Sequence, residues 1–199
     1  MRSPLRILIA EDEALNALAL RTQVEALGHT VVGPARNGLE AVELARIHTV
    51  DLAILDIRMP ELTGIEAADQ ILAHKPLPII LLTGYSEPEF VAQATLAPIF
   101  HYLIKPVSLE DLTPAIGIAH SRFVEWKEFR DEAEQLRQKL EDRKTLERAK
   151  ALLMEAKGLS ENAAYRMLQQ ESQRQSTPMA ELARTILAAE VLLRDAPVP

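Results

Sequence analysis

Five short apolar segments in the first 120 residues constrain the fold of this chain more than any other feature. They are rich in Ile, Leu and Val and occupy residues 5–10, 30–35, 51–56, 78–83 and 99–104. Continuous apolar runs of this length are typical of strands buried on both faces of a parallel sheet. Helical periodicity lies between them, over about 13–27, 38–48, 63–74 and 87–95, and begins again near Ser108. The alternation predicts an α/β fold, a doubly wound five-stranded parallel sheet with helices on both faces.

The composition excludes several classes of protein. The chain has 199 residues and no cysteine, which excludes disulfides, thiolate metal sites and cysteine nucleophiles. Its first apolar run is too short for a signal peptide, and no apolar stretch approaches the roughly 18 residues that a membrane helix needs. We therefore expect a soluble, cytoplasmic protein.

The net charge of −7 is distributed unevenly along the chain. Residues 1–120 carry 8 Lys and Arg against 15 Asp and Glu, whereas residues 121–199 carry 14 of each sign. Within 143–174 there are seven basic residues and four acidic ones. This local excess of positive charge permits a polyanionic partner without requiring one.

A charged segment without Gly or Pro follows the predicted sheet, from Ala119 to Lys157. Its apolar residues have the 3-4 spacing of a coiled-coil seam, and they are Trp126, Phe129, Ala133, Leu136 and Leu140. We predict that residues 121–142 form a helical linker through which two copies of the chain dimerise. The alternative is that the apolar stripe packs on its own chain.

Residues 143–195 are predicted to form a small three-helix bundle. The first helix ends at Lys157, because Gly158 suits the left-handed position that follows a helix. The second helix begins after a Ser160 cap and covers 161–175. The third begins at Thr177-Pro178, a cap followed by a proline at the first helical position.

Charged and hydroxyl side chains follow four of the predicted strands. Glu11 and Asp12 come after the first strand, Asp56 ends the third, Thr83 ends the fourth, and Lys105 follows the fifth. The carboxyl ends of parallel strands lie at one edge of a sheet, so these residues are predicted to form one cleft. Clustered carboxylates favour a hard cation such as Mg²⁺, and Asp56 could accept a phosphoryl group as an acyl phosphate. Taken singly, each residue could equally be a helix cap or part of a turn.

Four segments carry a resemblance to a known family, in matching order and spacing: ILIAEDE, LAILDIRMPELTG, IILLTGYS and FHYLIKPVS. They resemble the receiver (CheY-like) domain of two-component response regulators, a flavodoxin-like fold, over about residues 4–120. The resemblance implies phosphorylation by a sensor histidine kinase or a phosphotransfer protein. It also implies a switch and not an enzyme in the usual sense.

The resemblance also implies roles for individual residues. Asp56 would be the phospho-acceptor, and Thr83 and Lys105 would bind the phosphoryl oxygens. Tyr102 would be the aromatic residue that changes position when Thr83 moves. The Mg²⁺ ligands would be Glu11, Asp12, Asp56 and the backbone carbonyl of Arg58.

The segment ERAKALLMEAKGLSENAAYRMLQQESQRQSTPMAELARTIL resembles the ANTAR domain, a helical bundle that binds RNA in transcription antitermination regulators, and the resemblance covers roughly residues 140–192. The matching positions are Ala149-Lys150, Gly158, Ser160-Glu161, Ala164-Tyr165, Leu168, Pro178 and Glu181–Ala183. RNA loops are recognised through shape, stacking and phosphate contacts. The candidate phosphate contacts are therefore Arg148, Lys150 and Arg166, and the candidate stacking residue is Tyr165.

Together these features predict a response regulator that is phosphorylated on Asp56 and acts as an RNA-binding transcription antiterminator. Phosphorylation would favour a homodimer, and the dimer would present two bundles to stem-loops in nascent transcripts. Two alternatives stay open: a DNA-binding transcriptional regulator, and a response regulator that acts through protein-protein interaction.

Overall fold

The structure of the chain is a computed structural model that describes residues 4–84 and 99–194. Its strands are β1 Arg6–Ala10, β2 Thr30–Ala35, β3 Leu52–Asp56, β4 Ile79–Thr83 and β5 Ile99–Ile104. All paired strands are parallel, in the order β2-β1-β3-β4-β5. The predicted five-stranded parallel sheet is therefore confirmed. The helix predicted over 87–95 lies outside the described residues.

Alternate residues of the same strands belong to two separate hydrophobic cores. Leu8, Ala53 and Leu81 pack in one core, with side chains from α2 (Gly38–Ile47) and α3 (Gly64–His74). Their neighbours pack in the other core, with side chains from α1 (Ala14–Ala26) and from the start of α4 (Leu109–Lys157). Successive side chains of a strand point to opposite faces, so each face of the sheet is covered by helices. This arrangement explains why the strands are apolar throughout.

The start of α3 is fixed closely against the end of β3. Thr63 and Glu66 form a reciprocal capping box at this helix start. Gly64, the first residue of α3, donates its backbone N–H to the carbonyl of Ile57, 3.0 Å away. A Cβ atom at Gly64 would lie 2.0 Å from the carbonyl oxygen of Asp56. Only glycine fits here, and the contact fixes the backbone that carries Asp56.

The chain divides into two compact units, residues 1–128 and 129–199. The predicted linker, 121–142, lies wholly inside α4, which is one continuous helix. The domain boundaries at 120 and 142 therefore coincide with no break in secondary structure, and they stay predictions.

The second unit contains the end of α4, then α5 (Glu161–Gln175) and α6 (Met179–Arg194). The turn between α4 and α5 has the predicted form, because Gly158 has φ +63° and the Ser160 side chain accepts the N–H of Ala163. The buried core of this unit is small, and consists of Ala149, Leu153, Ala164, Leu168, Leu182 and Ala183. The predicted helical bundle is confirmed.

Most of the predicted coiled-coil seam is exposed on this single chain. Phe129 is 73% exposed, Leu136 54% and Leu140 59%. Trp126 differs, because it is half-buried and its ring stacks on that of Phe123 with 5.8 Å between centroids. The described residues of the second unit therefore do not cover the seam from Phe129 onward.

Within the described ranges, no helix combines the length and the apolar character needed to cross a membrane.

Substituting Gly64 tests the contact between α3 and β3. We expect Gly64→Ala to lower the free energy of unfolding by about 3 kcal/mol, because the new methyl group would overlap the backbone of Asp56. Gly84→Ala is the matched control, since the nearest atom of the described residues to its new methyl group, Nη2 of Arg58, would be 3.9 Å away. Urea denaturation of the full chain measures both changes. Equal stability of the two variants would contradict the close contact.

Candidate functional site

Three carboxylates come together at the carboxyl edge of the sheet. Glu11 and Asp12 follow β1, and Asp56 ends β3, the strand that pairs directly with β1. Glu11, Asp12 and Asp56 each offer a carboxylate oxygen, and these oxygens all lie within 4.8 Å of one another. Glu11 and Asp56 are buried, whereas Asp12 is exposed. The three residues thus provide hard oxygen ligands open to solvent on one side, a donor set that fits Mg²⁺.

Lys105, just after β5, bridges two of these acids. Its Nζ lies 2.6 Å from Glu11 Oε2 and 2.7 Å from Asp56 Oδ2. Burial opposes the charge of this ammonium group, but hydrogen bonds to Asp56 and then Glu11 outweigh it and raise the pKa of Lys105. The lysine is therefore charged across the physiological range.

Both buried acids have raised pKa values. Burial is the largest cause for each, since it disfavours the ionised form. The hydrogen bond from Lys105 is the largest opposing influence for both Glu11 and Asp56. The N–H of Arg58 also donates weakly to Asp56 Oδ1 at 3.4 Å. Lys105 is thus the main influence that favours the ionised form of both acids.

Thr83 and Tyr102 lie near this edge on the next two strands. Thr83 is buried at the end of β4, and its Oγ1 donates to the carbonyl of Gly84 at 3.1 Å. Tyr102 is half-buried on β5 against the core shared with α2 and α3, and burial raises its pKa. Their joint movement as a switch stays a prediction, as does the role of the Arg58 carbonyl.

Asn16, in the first turn of α1, belongs to the cleft but is not among the residues predicted from the sequence. Its Nδ2 donates to Glu11 Oε1 at 3.4 Å and to Glu13 Oε2 at 3.0 Å. Beside it lies a cavity of about 410 Å³ that Glu11, Asn16 and Lys105 help to line. The helix predicted to begin near residue 13 could have indicated this contact, because it places Asn16 one turn after the acidic pair.

The structure places Lys150 differently from the other RNA-binding candidates. Its side chain is only 9% exposed, and Nζ lies 2.9 Å from Glu147 Oε2 and 2.8 Å from Glu161 Oε1. An RNA contact at Lys150 stays a prediction, and these two ion pairs weigh against it. The sequence motif around Lys150 does not indicate its ion pair with Glu161, because that pair depends on how α5 packs on α4.

The remaining RNA-binding candidates are exposed on the second unit. Tyr165 is 42% exposed, so it is not a core residue, and Arg148 and Arg166 are also exposed. Among the basic residues of 143–174, three form ion pairs with carboxylates, namely Lys144, Lys150 and Arg174. No ion pair within the described residues involves the other four, which are Arg143, Arg148, Lys157 and Arg166.

Removing the bridging lysine tests the electrostatics of the cleft. We expect Lys105→Met to raise the pKa values of Glu11 and Asp56 further, because the largest influence that lowers both is lost. Carboxyl ¹³C NMR titration in Mg²⁺-free buffer measures the change. Lys144→Met, which removes an exposed lysine paired only with Glu141, is the control and should leave both values unchanged. Unchanged values in Lys105→Met would contradict the bridge.

Two families match successive parts of the chain. Residues 7–117 match the response regulator receiver domain, and residues 134–187 match the ANTAR domain. The transcriptional regulatory protein PdtaR of Mycobacterium tuberculosis is 42% identical over 184 residues, covering 92% of this chain and 90% of PdtaR. The similarity to PdtaR thus extends across both parts.

Solved structures of receiver domains resemble the first unit. The signal receiver domain of a modulated diguanylate cyclase from Desulfovibrio desulfuricans is 37% identical with a TM-score of 0.57, covering 61% of this chain and 97% of that one. The receiver domain of the sensor histidine kinase PA1611 from Pseudomonas aeruginosa, with a magnesium ion coordinated in its active-site cleft, is 26% identical with a TM-score of 0.53. It covers 59% of this chain and 98% of its own.

The sheet order, the acidic cleft and the two family matches lead to one conclusion. The chain belongs to the response regulator family, as a regulator whose receiver domain is followed by an ANTAR domain and which acts as an RNA-binding antiterminator.

Proposed function

We propose that Asp56 is the phospho-acceptor of this regulator and that its phosphorylation controls RNA binding by the second unit. The observation that carries the proposal is the position of Lys105, whose ammonium lies 2.7 Å from Asp56 Oδ2 and 2.6 Å from Glu11 Oε2. Lys105 thus provides a positive charge beside a buried carboxylate that belongs to a cluster of three acids with the geometry to hold a cation. In this proposal the receiver domain covers 1–120, the linker 121–142 and the RNA-binding domain 143–195.

Glu11, Asp12 and Asp56, with the backbone carbonyl of Arg58, would hold Mg²⁺. The metal ion would offset carboxylate repulsion and the negative charge of an incoming phosphoryl group. The support is the donor set itself: three carboxylates, two of them buried, with Lys105 paired to both buried ones.

The carboxylate of Asp56 would attack the phosphorus of a phosphohistidine on a histidine kinase or a phosphotransfer protein. The P–N bond to the donor histidine breaks as the P–O bond to Asp56 forms, which gives an acyl phosphate. Lys105 would favour the ionised form of this carboxylate and would then bind a phosphoryl oxygen, because its Nζ already lies within hydrogen-bond distance of Asp56. Thr83 would bind a second oxygen by turning its hydroxyl away from Gly84, and Tyr102 would move with it.

The output would depend on two copies of the second unit. The exposed seam of Phe129, Leu136 and Leu140 suits a parallel coiled coil between phosphorylated chains. A dimer would present two bundles to paired RNA stem-loops, and linked sites gain avidity without new contacts. The exposed Arg148 and Arg166 would contact phosphates, and Tyr165 would offer a stacking surface.

Mg²⁺ should stabilise the first unit in a pH-dependent way. A tenfold excess over its dissociation constant is worth about 1.4 kcal/mol, which raises the unfolding temperature by a few degrees. Because the pKa values of Glu11 and Asp56 are raised, the folded state takes up protons there more readily than the unfolded state, and Mg²⁺ must displace them. The Mg²⁺ effect should therefore be full at pH 7.5 and decline as the pH falls through these raised values.

Calorimetry at pH 7.5 and pH 5, with and without Mg²⁺, measures this effect. Asp12→Asn should weaken it, whereas Asp69→Asn, which removes an exposed aspartate on α3, should not. A temperature shift of the same size at both pH values would contradict metal binding by the raised-pKa acids.

Blocking Asp56 tests the proposed function directly. With a small-molecule phosphodonor and Mg²⁺, the wild-type chain should dimerise and bind a paired-hairpin RNA on the order of 100-fold more tightly than without the donor. Asp56→Asn should lose both responses, whereas Asp69→Asn should keep them. Sedimentation gives the oligomeric state, and gel shifts with hairpin RNA and duplex DNA give the affinity.

Three results would count against the proposal. Retained responses in Asp56→Asn would exclude Asp56 as the acceptor. Preference for duplex DNA would favour the DNA-binding alternative. Phosphorylation without any change in nucleic-acid binding would favour a partner protein.

A further inference from the structure

Lys150 connects two helices of the second unit. It lies on α4, and its Nζ is 2.8 Å from Oε1 of Glu161, the first residue of α5. Its second partner, Glu147, lies one turn earlier on α4 itself, at 2.9 Å. The same ammonium group therefore takes part in one contact within a helix and one contact between helices.

The charges around Lys150 disfavour a phosphate contact. One ammonium and two carboxylates leave the cluster with a net charge of about −1 at neutral pH. The carboxylates face solvent, with Glu147 55% and Glu161 68% exposed, whereas the lysine side chain is 9% exposed. An approaching phosphate would meet the two carboxylates first and be repelled by them.

The contact with Glu161 determines how α5 is oriented on α4. Ala164 and Leu168 hold one side of α5 in the core. Glu161 and Tyr165 are four residues apart, so they lie on the same face of the helix. Fixing Glu161 therefore fixes the rotation of α5 about its axis, and with it the direction in which Tyr165 and Arg166 project.

We infer that Lys150 is a positioning residue, which holds the first turn of α5 in place so that Tyr165 and Arg166 can meet RNA, and that it makes no phosphate contact itself. The effect of this positioning on RNA binding rests on the proposed function. The positioning itself concerns the protein alone.

Two matched substitutions separate positioning from contact. Glu161→Gln and Glu147→Gln each remove one carboxylate from Lys150 and change the net charge equally, but only Glu161 lies on α5. Positioning predicts that Glu161→Gln weakens hairpin RNA binding by roughly three- to tenfold and that Glu147→Gln has little effect. A direct contact predicts that both substitutions strengthen binding, because both free the ammonium group.

The salt dependence of binding gives a second readout. Lys150→Met, in the phosphorylated full-length chain, should weaken RNA binding but leave the slope of log K against log [KCl] at its wild-type value. Loss of a phosphate contact would instead reduce that slope by about 0.7 to 0.9. Arg166→Gln provides the comparison for a contact residue.

Hydrogen exchange of the free protein tests positioning without RNA. Protection of the first turns of α5 should fall in Lys150→Met and Glu161→Gln and stay at the wild-type level in Glu147→Gln. The inference would be overturned if protection were unchanged in Lys150→Met and Glu161→Gln. It would also be overturned if Lys150→Met reduced the salt-dependence slope as Arg166→Gln does. If the wild-type chain binds no RNA, the proposed function fails, and the exchange data still decide whether Lys150 positions α5.

Discussion

The cleft of the first unit depends on one lysine shared between two buried carboxylates. Burying Glu11 and Asp56 without a counter-charge would cost several kcal/mol for each ion. Lys105 offsets that cost, yet it neutralises only one of the two charges, and the neighbouring Asp12 adds a third. In the proposed function, a cation held by the three acids would offset their mutual repulsion and the charge of an incoming phosphoryl group.

The second unit uses charge differently, because its hydrophobic core is small. Among the described residues, three of the six buried apolar side chains in this core are alanines, so ion pairs between helices supplement the apolar contacts. Lys150 pairs with Glu161 on α5, and Arg184 on α6 pairs with Asp142 on α4 at 3.0 Å. In these ion pairs Lys150 is 9% exposed, whereas Arg184 is 52% exposed. The modest charge that remains is consistent with recognition by two copies together.

Local sequence patterns predicted the structural features that depend on residues close together in the sequence. The apolar runs predicted all five strands, and Gly158 with Ser160 predicted the turn between α4 and α5. The strand ends predicted that Glu11, Asp12, Asp56 and Lys105 would meet, because parallel strands place them at one edge. The pairing of Lys150 with Glu161 could not be predicted, since it depends on the angle at which α5 leaves its turn.

The contact between Gly64 and Asp56 has a consequence for how the first unit can change shape. A methyl group at Gly64 would lie 2.0 Å from the carbonyl oxygen of Asp56. The start of α3 is therefore in tight contact with the end of β3 on one side. Close-packed interiors compress little. β3 therefore cannot shift toward α3 when the Asp56 side chain gains a bulky, charged group. We therefore expect the displacement to be directed away from α3, toward β4 and β5, where Thr83 and Tyr102 lie.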